Sequence, residues 1–394
     1  MCLLAICILR GNVKYPIKTI TISNKAIIAG GSLGGLMTGI VLETAGMDVE
    51  IYERSPKVLD DRGAGIVMQA ETETFLTQYG GVKPEQTGVW LKYRQYLNRE
   101  GKPDNYREMP QLMTSWGLIY RALRGRFPNE RYYAGHTLNG LSQSKDGVIA
   151  DFDGVNAVHA DILVGADGSR SFVRQHLMPE VKPHYAGYVA WRGVVPESSA
   201  SPLLTKTFVD HFTFQQMEHS HILCYLIPGA EGETEPGKRR INWVWYWNVP
   251  ENELSKLMTG IDGRERDFSL PPGQVRDELL KKQNAIAEKV FCPQFLELWR
   301  ATETPFLQPI LDLAVPRMVQ GRVILLGDAA FIPRPHTAAS TAKAGANALA
   351  LGRALQDYPN DIDAALKEWE PDQLSLGRHL ERSGKALGNL SQFS

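Results

Sequence analysis

The sequence predicts an α/β protein in which a Rossmann-like nucleotide-binding domain carries an inserted antiparallel β-sheet and is followed by C-terminal helices. Two patterns predict this fold. Short apolar runs lead into glycine-rich or Gly-Asp turns at 26–35, 162–168 and 322–328, which is typical of strand-to-helix turns in βαβ units. Between 184 and 310 the runs are apolar or aromatic with a period of two residues, which is typical of antiparallel strands.

Length and composition indicate a globular protein. The chain has 394 residues, of which 43% are hydrophobic and 22% charged, enough for two domains or one large composite domain. Its formal net charge of −1 gives no electrostatic basis for binding nucleic acid or for stable association with an anionic membrane. Residues 2–9 are apolar but too short to span a bilayer, and we interpret residues 1–24 as an N-terminal extension.

Cysteine and histidine spacing argues against a metal site. The cysteines have no CxxC pair, and the histidines have no HxxxH or HExxH pair. Scattered cysteines of this kind are typical of a reducing compartment. We therefore expect no metal and a cytoplasmic location. The four cysteines are Cys2, Cys7, Cys224 and Cys292.

The first glycine-rich turn has the form of a dinucleotide-binding fingerprint. An apolar strand at 26–29 runs into six small residues and a helix with one apolar face, and a second strand ends at Glu53, 23 residues after Gly30. An acid at this point can bind a ribose with a free 2′-hydroxyl, as in FAD or NAD. Serine replaces the usual middle glycine, but it is small and its hydroxyl can contact phosphate. The residues expected to form the turn, approach the pyrophosphate and pack the helix are Gly30, Ser32, Leu33 and Gly35.

Two later segments repeat the strand-to-turn pattern. Residues 161–174 contain a buried strand followed by Asp167 and a glycine, and 322–328 is a strand ending in Gly327-Asp328. A proline-stiffened loop, 333–336, and a helix start rich in small residues come next. A carboxylate can accept hydrogen bonds from sugar hydroxyls, and free N–H groups at a helix N-terminus can face an anionic group. The last segment is therefore expected to contact the middle of a long, phosphate-bearing cofactor.

In their order and spacing, these three segments resemble the signature of the flavin-dependent aromatic hydroxylases of the p-hydroxybenzoate hydroxylase fold. The resemblance covers nearly the whole chain from about residue 25 and is closest to members that act on hydroxypyridines. Two positions depart from most of the wider family, because Phe331 follows GDAA where a histidine is usual and 339–343 replaces a G-Q-G-x-N run. The similar segments are YERSP (52–56), GIVMQ (65–69), YAGYVAWRGV (185–194), WYWNV (245–249) and RMVQGRVILLGDAAFIPRPHTAA (317–339).

The resemblance implies a cofactor, a reaction and a set of binding residues. It implies FAD as cofactor, NADH or NADPH as co-substrate, and hydroxylation of an activated aromatic ring of the hydroxypyridine or phenol type by O₂ through a flavin C4a-hydroperoxide. The resemblance also implies that NAD(P)H visits a shared surface, and the absence of a second βαβ fingerprint agrees with this. Besides the four turn residues and Glu53, the implied cofactor-binding residues are Arg54, Gln69, Arg121, Asp167, Gly327, Asp328, Pro335, Thr341 and Ala342.

The expected division of the chain follows the same resemblance. The FAD-binding domain is expected to be discontinuous, and the substrate-binding domain is expected to be inserted into it. The expected ranges are 25–72, 112–183 and 311–394 for the first domain and 73–111 and 184–310 for the second.

The inserted sheet is expected to form the roof of an aromatic pocket. Along 241–249, three tryptophans alternate with Val244, Tyr246 and Asn248, so one set should face the flavin and a flat aromatic substrate. Most of the tryptophan rings are expected to pack in the core or in the interface of a homodimer. His336 is the candidate base, because its loop should lie over the flavin and its unperturbed pKa suits proton transfer. Weaker candidates for binding ring oxygens or nitrogens are Arg192, His211, Tyr225 and Tyr246.

Two other functions remain open on the sequence. Residues 245–250 match a WxWx(I/V)P pattern similar to that of flavin-dependent halogenases, although no counterpart of the catalytic lysine region of those enzymes is apparent. A non-catalytic flavin-binding protein would also carry the three cofactor segments.

Overall fold

The computed structural model describes residues 24–57, 59 and 65–393. The N-terminal extension expected at 1–24 therefore lies outside the described residues, apart from Asn24. No helix within the described ranges is long and apolar enough to cross a membrane.

Strands and helices are labelled in chain order within these ranges. The strands are β1 (Lys25–Ala29), β2 (Asp48–Glu53), β3 (Gly65–Val67), β4 (Val89–Leu97), β5 (Pro103–Ser115), β6 (Tyr132–Ala134), β7 (Leu138–Ser144), β8 (Gly147–Phe152), β9 (Val158–Ala160), β10 (Ile162–Gly165), β11 (His184–Pro196), β12 (His211–Met217), β13 (Ser220–Ile227), β14 (Arg240–Asn248), β15 (Phe306–Ala314), β16 (Val319–Gln320), β17 (Val323–Leu325) and β18 (Phe331–Ile332). The α-helices are α1 (Leu33–Thr44), α2 (Ala70–Thr74), α3 (Trp116–Arg126), α4 (Phe172–Leu177), α5 (Pro202–Phe208), α6 (Glu251–Leu257), α7 (Asp277–Val290), α8 (Pro293–Arg300), α9 (Ser340–Asp357) and α10 (Ile362–Gln392).

The nucleotide-binding sheet has the strand order β16-β17-β10-β1-β2-β6. The pairs β17–β10, β10–β1, β1–β2 and β2–β6 are all parallel. The three turns singled out in the sequence follow β1, β10 and β17, which are neighbours in this sheet. Because parallel strands end at the same edge, the turns lie side by side, as ligand-binding turns do in open α/β sheets.

The second large sheet has the order β18-β15-β11-β14-β13-β12-β4-β5-β3. Its pairs are antiparallel as expected, except that β4 and β12 run parallel. Strand β12 begins only at His211, because the residues before it form a helix. Ser201 Oγ accepts a hydrogen bond from the Leu204 N–H (3.2 Å) and begins α5, which reaches Phe208. A third, small sheet, β7-β8-β9, was not expected from the sequence.

The tryptophan face of β14 is core, as expected for most of these rings. Trp243 and Trp245 are fully buried. Their ring centroids lie 5.4 and 5.5 Å from that of Trp299 on α8. Phe291, at the end of α7, packs edge-on against Trp245 at 4.5 Å. The tryptophans therefore pack under α7 and α8, and the opposite face of the sheet is free to form a pocket.

The loop 331–336 is held between β15 and α10. The Arg334 guanidinium donates two hydrogen bonds to Asp312 (2.9 and 2.8 Å) and one to Asn389 Oδ1 (2.8 Å). Helix α10 can approach this loop closely because glycines face it. A Cβ at Gly384 would lie 2.8 Å from the Arg334 backbone nitrogen. This clamp determines where the loop that carries His336 can lie.

Gly384→Ala should destabilise the folded protein, because the new methyl group must displace the backbone of the loop. We expect a loss of about 1–2 kcal/mol, since overpacking costs more than the helix propensity that alanine gains. Gly125→Ala is the matched control, because a Cβ at that position of α3 meets nothing within 4 Å. Thermal unfolding of the two variants measures the difference. A melting temperature for Gly384→Ala equal to that of the control would contradict the close contact.

Candidate active site

A groove begins at the carboxyl ends of β1, β10 and β17. Ser32 is the N-cap of α1, and its side chain makes no capping hydrogen bond, so the N-terminal N–H groups of this 12-residue helix and the Ser32 hydroxyl are available to an anion. Two adjoining cavities of about 410 and 460 Å³ both include Ser32, Gly168 and Ser169 in their walls. Gly30 lines the first cavity and Leu33 the second.

Glu53 lies at one end of this groove and is 7% exposed. Its carboxylate accepts hydrogen bonds from the Gly31 and Ser55 N–H groups, both at 2.8 Å. The side chain is therefore fixed in place, and its remaining lone pairs are available to a sugar hydroxyl. Arg54 lines the same cavity.

Asp167 also lines this first cavity. Its Oδ2 accepts a hydrogen bond from the Val173 N–H (3.2 Å), and burial raises the pKa of the carboxyl. Its Oδ1 is buried and makes no well-aligned hydrogen bond within the described residues, although the Ser171 hydroxyl and the Phe172 N–H lie close enough to stabilise the carboxylate. A buried acceptor without a well-aligned donor is costly unless a ligand donates to it.

Gly168 leaves an open cradle between the two cavities. Its φ of +76° belongs to the left-handed region that favours glycine, and a Cβ built there would meet nothing within 4 Å. The missing side chain therefore opens space to a ligand. A cradle at a helix N-terminus, a buried acceptor without a well-aligned donor and a fixed carboxylate at the ribose end fit the pyrophosphate and adenosine of FAD.

Asp328 lines the second cavity at the far end of the groove. Its Oδ1 accepts hydrogen bonds from Ser340 Oγ (2.8 Å) and Lys343 Nζ (3.0 Å). The Lys343 side chain is fully buried, and burial lowers the pKa of its ammonium group. Gly327 is held by its N–H, which donates to Asn347 Oδ1 (3.2 Å). The Gly-Asp turn is thus fixed to the first turns of α9.

A third cavity, of about 880 Å³, continues from the second. Arg192, Pro335, Ser340 and Thr341 line both cavities. The remaining walls include several aromatic rings, among them the predicted residues Tyr225, Tyr246 and His336. We call this third cavity the aromatic pocket. A flat ring bound in it would lie next to whatever fills the Asp328 end of the groove.

His336 is part of a buried cluster of polar rings in the aromatic pocket. Its Nε2 lies 2.8 Å from Tyr188 Oη. Its ring centroid is 4.7 Å from that of Tyr246 and 5.5 Å from that of His221. Burial holds the pKa of His336 well below its ordinary value, and His221 and Arg334 lower it further. His336 is therefore neutral at physiological pH, as a general base must be.

The other ionisable rings of the cluster are also held neutral. Burial lowers the pKa of His221 to about 4 and raises that of Tyr246 to about 12, although Arg192 opposes the latter shift. Gln392 Nε2 lies 3.0 Å from His221 Nδ1. The pocket beside His336 therefore contains hydrogen-bonding groups that do not change charge near neutral pH.

Some predicted residues lie elsewhere. His211 is on the opposite face of β12 from the aromatic pocket, with its ring stacked on Tyr93 at 5.4 Å and its Nδ1 2.5 Å from the Val209 carbonyl oxygen. Its neighbours in the strand, Phe212 and Phe214, line the pocket instead, so the structure does not bring His211 into the site. Of the predicted cofactor residues, those that line none of the three cavities are Gly35, Gln69, Arg121 and Ala342.

Several residues of the site were not singled out in the sequence. Tyr188 and His221 join the His336 cluster from β11 and β13, Lys343 pairs with Asp328, and Arg94 lines the aromatic pocket from β4. Tyr188 lies in the YAGYVAWRGV segment, which was the one available signal. The others become recognisable only once neighbouring strands and helices are known.

Taken together, the groove and the pocket define a flavin-dependent enzyme that acts on an aromatic ring. Comparison with known proteins agrees. A family profile described as FAD binding domain-like matches residues 185–312. A 2,6-dihydroxypyridine 3-monooxygenase from Paenarthrobacter nicotinovorans is 36% identical over 90% of this chain and 88% of its own.

Solved structures show the same fold. The 2,6-dihydroxypyridine-3-hydroxylase of Arthrobacter nicotinovorans superposes with a TM-score of 0.89 at 34% identity, covering 94% of this chain and 93% of that one. Klebsiella pneumoniae HpxO, complexed with FAD and uric acid, gives a TM-score of 0.76 at 22% identity over 94% and 89% of the two chains. The chain belongs to the family of FAD-dependent aromatic-ring monooxygenases, and its cofactor is FAD.

The halogenase and non-catalytic alternatives are not favoured by these comparisons. The tryptophans of the WxWx(I/V)P pattern also have an ordinary structural role. Trp245 is buried against α7 and α8 and donates its indole N–H to Ser220 Oγ (2.9 Å). The tryptophans of this pattern lie on the opposite face of β14 from Val244 and Tyr246, which line the aromatic pocket.

Asp328→Asn should weaken FAD binding, because it removes the charge that pairs with buried Lys343 and one strong acceptor for sugar hydroxyls. We expect the dissociation constant for FAD to rise by about 10- to 100-fold, which is typical for loss of a charged hydrogen bond. Titration of the apoprotein with FAD measures it. Asp363→Asn, which removes a carboxylate paired with Arg322 on the surface, serves as the control. An unchanged FAD affinity would contradict the role of Asp328.

Proposed function

We propose that this protein is an NAD(P)H-dependent FAD monooxygenase whose substrate is a ring of the hydroxypyridine type. The observation that carries the proposal is the shared wall between the groove and the aromatic pocket, formed by Gly65, Ile66, Arg192, Pro335, Ser340 and Thr341. It supports the binding of an aromatic ring directly beside the flavin. The relative that is 36% identical is a 2,6-dihydroxypyridine 3-monooxygenase, which supports the choice of ring.

The cofactor roles proposed for individual residues follow the groove. FAD supplies the redox chemistry and the activation of O₂ when bound. Glu53 would bind the adenosine ribose, the N-terminus of α1 and Gly168 the pyrophosphate, and Asp328 the ribityl chain. Gln69 and Arg121 stay weaker proposals, because neither lines the groove.

For the domains, the expected boundaries at 111/112 and 310/311 fall inside β5 and β15, so we propose a division along the two large sheets instead.

His336 is proposed as the base that activates the substrate. Electrophilic oxygen transfer is faster when a ring hydroxyl is ionised or donates a hydrogen bond to a base. If His336 Nε2 carries the ring proton and donates a hydrogen bond to Tyr188 Oη, then Nδ1 keeps a lone pair that can accept a hydrogen bond from the substrate hydroxyl. Tyr188 would thus select the tautomer and orient the ring, while the burial of His336 keeps it unprotonated.

Arg192, Tyr225 and Tyr246 are proposed to bind the ring oxygens or nitrogens. Arg192 Nε is buried without a hydrogen-bond partner among the described residues. It lies close enough to both tyrosines to lower the pKa of their hydroxyls against the effect of burial. A positive charge at this point would stabilise an ionised ring hydroxyl.

We also propose a cytoplasmic location, no stable membrane association and a homodimer. Two buried free cysteines, Cys224 and Cys292, and the need for NAD(P)H support the cytoplasm. Trp90, which is 61% exposed on β4, supports an interface between copies of the chain. Analytical ultracentrifugation of the holoenzyme distinguishes a dimer from a monomer.

The proposed function is tested by adding hydroxypyridines and phenols to the purified holoenzyme with NADH or NADPH. We expect 2,6-dihydroxypyridine or a related ring to stimulate nucleotide oxidation and to yield a hydroxylated product with little peroxide. Oxidation that yields peroxide alone with every ring tested would argue against a hydroxylase.

His336→Asn should uncouple the reaction. Product formation should fall by about 10²- to 10⁴-fold, the usual contribution of a general base, while NADH oxidation continues with release of peroxide. Tyr188→Phe should cause a smaller loss, because the imidazole remains but its orienting hydrogen bond is gone. The ratio of product to NADH consumed measures both effects. A fully coupled His336→Asn enzyme would exclude the histidine as the base.

The lowered pKa of His336 predicts how the stability of the folded protein and the rate of hydroxylation depend on pH. The unfolded chain protonates this histidine at about pH 6.5, whereas the folded protein does not, so the native state loses stability as the pH falls below about 6.5. Over the same range the base stays unprotonated. The rate of the hydroxylation step should therefore be level between about pH 8 and pH 6. Single-turnover rates measure it, and a decline centred at about pH 6.5 would contradict the burial of His336.

A further inference from the structure

The floor of the aromatic pocket is one face of the nine-stranded sheet. Five residues in register across five adjacent strands form a cross-strand row on this face. All five line the pocket. The row, from the distant end to the flavin end, consists of Tyr96, Phe214, Leu223, Val244 and Arg192.

The pocket is longer than a single ring requires. Arg192, at the flavin end, and Tyr96 are separated by four strand spacings of about 4.8 Å, or roughly 19 Å along the sheet. A monocyclic hydroxypyridine beside Arg192 and His336 would not reach Phe212, Phe214 and Tyr96, which would then contact each other and Arg94 but not the substrate. A ligand binds more tightly when it buries the apolar surface of the pocket walls. These aromatic residues therefore indicate a substrate that extends away from the flavin.

A buried arginine lies at the distant end of the row. Arg94 is 2% exposed, and its guanidinium carbon lies 4.9 and 5.3 Å from the ring centroids of Phe212 and Phe214. Its Nη2 donates to Gln111 Oε1 (2.6 Å), but its Nε has no hydrogen-bond partner among the described residues. Burial lowers the pKa of this guanidinium, which nevertheless remains charged at neutral pH.

No acid in the described part of the chain compensates Arg94. It makes no ion pair there, and its direct cross-strand neighbour on β5 is a second arginine, Arg107, which also lines the pocket. Like charges facing each other across a strand pair are unfavourable. Among the described lining residues the one acid is Glu218, whose side chain is 92% exposed. A buried cation beside a second cation, without a carboxylate, is the arrangement expected of an anion-binding site.

We propose that Arg94, assisted by Arg107, binds an anionic group at the end of the substrate distant from the flavin, so that the substrate is a hydroxylated heteroaromatic ring with an extended, negatively charged substituent. This assignment rests on the proposed function and narrows it. Arg192 and His336 select the ring to be hydroxylated. The apolar residues of the cross-strand row contact the part of the substituent between the ring and the anionic group, and Arg94 selects the anionic group.

The experiment compares two ligands that differ only in charge, 8-(2,6-dihydroxypyridin-4-yl)octanoate and the corresponding octanamide, whose side chains are long enough to extend from the flavin end of the pocket towards Arg94. Their affinities for the FAD holoenzyme are measured by calorimetry without NADH. We expect the carboxylate to bind about tenfold or more tightly than the amide, as a charged hydrogen bond provides. Equal affinities, or no binding of either ligand, would overturn the proposal.

Variants assign the charge preference to Arg94. In Arg94→Met the preference for the carboxylate should fall to within about threefold, and Arg94→Lys should keep part of it. Lys92→Met is the matched control, since it removes a positive charge from the same strand at a residue outside the pocket that pairs with Asp210. The control should keep the full preference. Retention of the full preference in a folded, FAD-loaded Arg94→Met protein would overturn the assignment.

A second measurement separates the substrate from the nicotinamide nucleotide, which is also anionic. The KM for NADH should be the same in Arg94→Met as in the wild type. A raised KM for NADH with an unchanged ligand preference would overturn the proposal and assign Arg94 to the nucleotide. Failure of the proposed function has a different signature, because then no ring would be hydroxylated, whereas the affinity ratio does not depend on turnover.

Discussion

The parallel pairing of β1, β10 and β17 is the constraint on which the rest of the structure depends. Each strand ends in a turn that carries part of the groove, and the strands come from positions far apart in the chain. Because their carboxyl ends meet at one edge of the sheet, α1, Gly168 and Asp328 converge on a single groove. A shift of one residue in either pairing would move the Gly-Asp turn relative to the N-terminus of α1. The two ends of the groove would then no longer match the length of FAD.

The aromatic pocket depends on a second constraint, the clamp on the loop 331–336. Arg334 joins Asp312 of β15 to Asn389 of α10 from within this loop. The ion pair with Asp312 is buried, so loss of either partner would leave an uncompensated charge. The clamp holds His336 against Tyr188 and Tyr246, and the same helix contributes Leu387, Leu390 and Ser391 to the pocket wall. Helix α10 thus links the position of the proposed base to the shape of the pocket.

The charges of the site are divided between its two ends. Around His336 the ionisable rings are buried and neutral, so a substrate hydroxyl there encounters bases and hydrogen-bond partners without a fixed negative charge. Towards β4 and β5 the described lining carries arginines. Since a desolvated charge interacts more strongly than an exposed one, buried Arg94 is better suited to discriminate between ligands than exposed Arg107. Under the proposed roles, ring chemistry is carried by Arg192 on β11 and by His336 in the loop 331–336, whereas selection of the substrate charge is carried by β4.

The cofactor half was accessible from the sequence because its signals are local. The turn at 30–35 with Glu53, the Asp167-Gly168 turn and the Gly-Asp turn at 327–328 are local signals, and their order and spacing produced the family resemblance that implied FAD. The aromatic alternation along β14 likewise indicated two faces. It could not assign them, because which face is core depends on whether α7 and α8 pack against it.

The sequence by itself was enough to predict the α/β class and to locate the three strand-to-turn segments of the cofactor groove. It also identified the loop with His336 as the segment expected to lie beside the flavin. Tertiary structure decided the composition of the pocket. His211 does not line the cavity, because side chains alternate along β12 and the register of that strand with β4 and β13 turns Phe212 and Phe214 towards the cavity instead. Arg94, Tyr188 and His221 meet the site only across strands distant in the chain. Strand register and helix packing are non-local contacts, and a local pattern of residue types does not specify them.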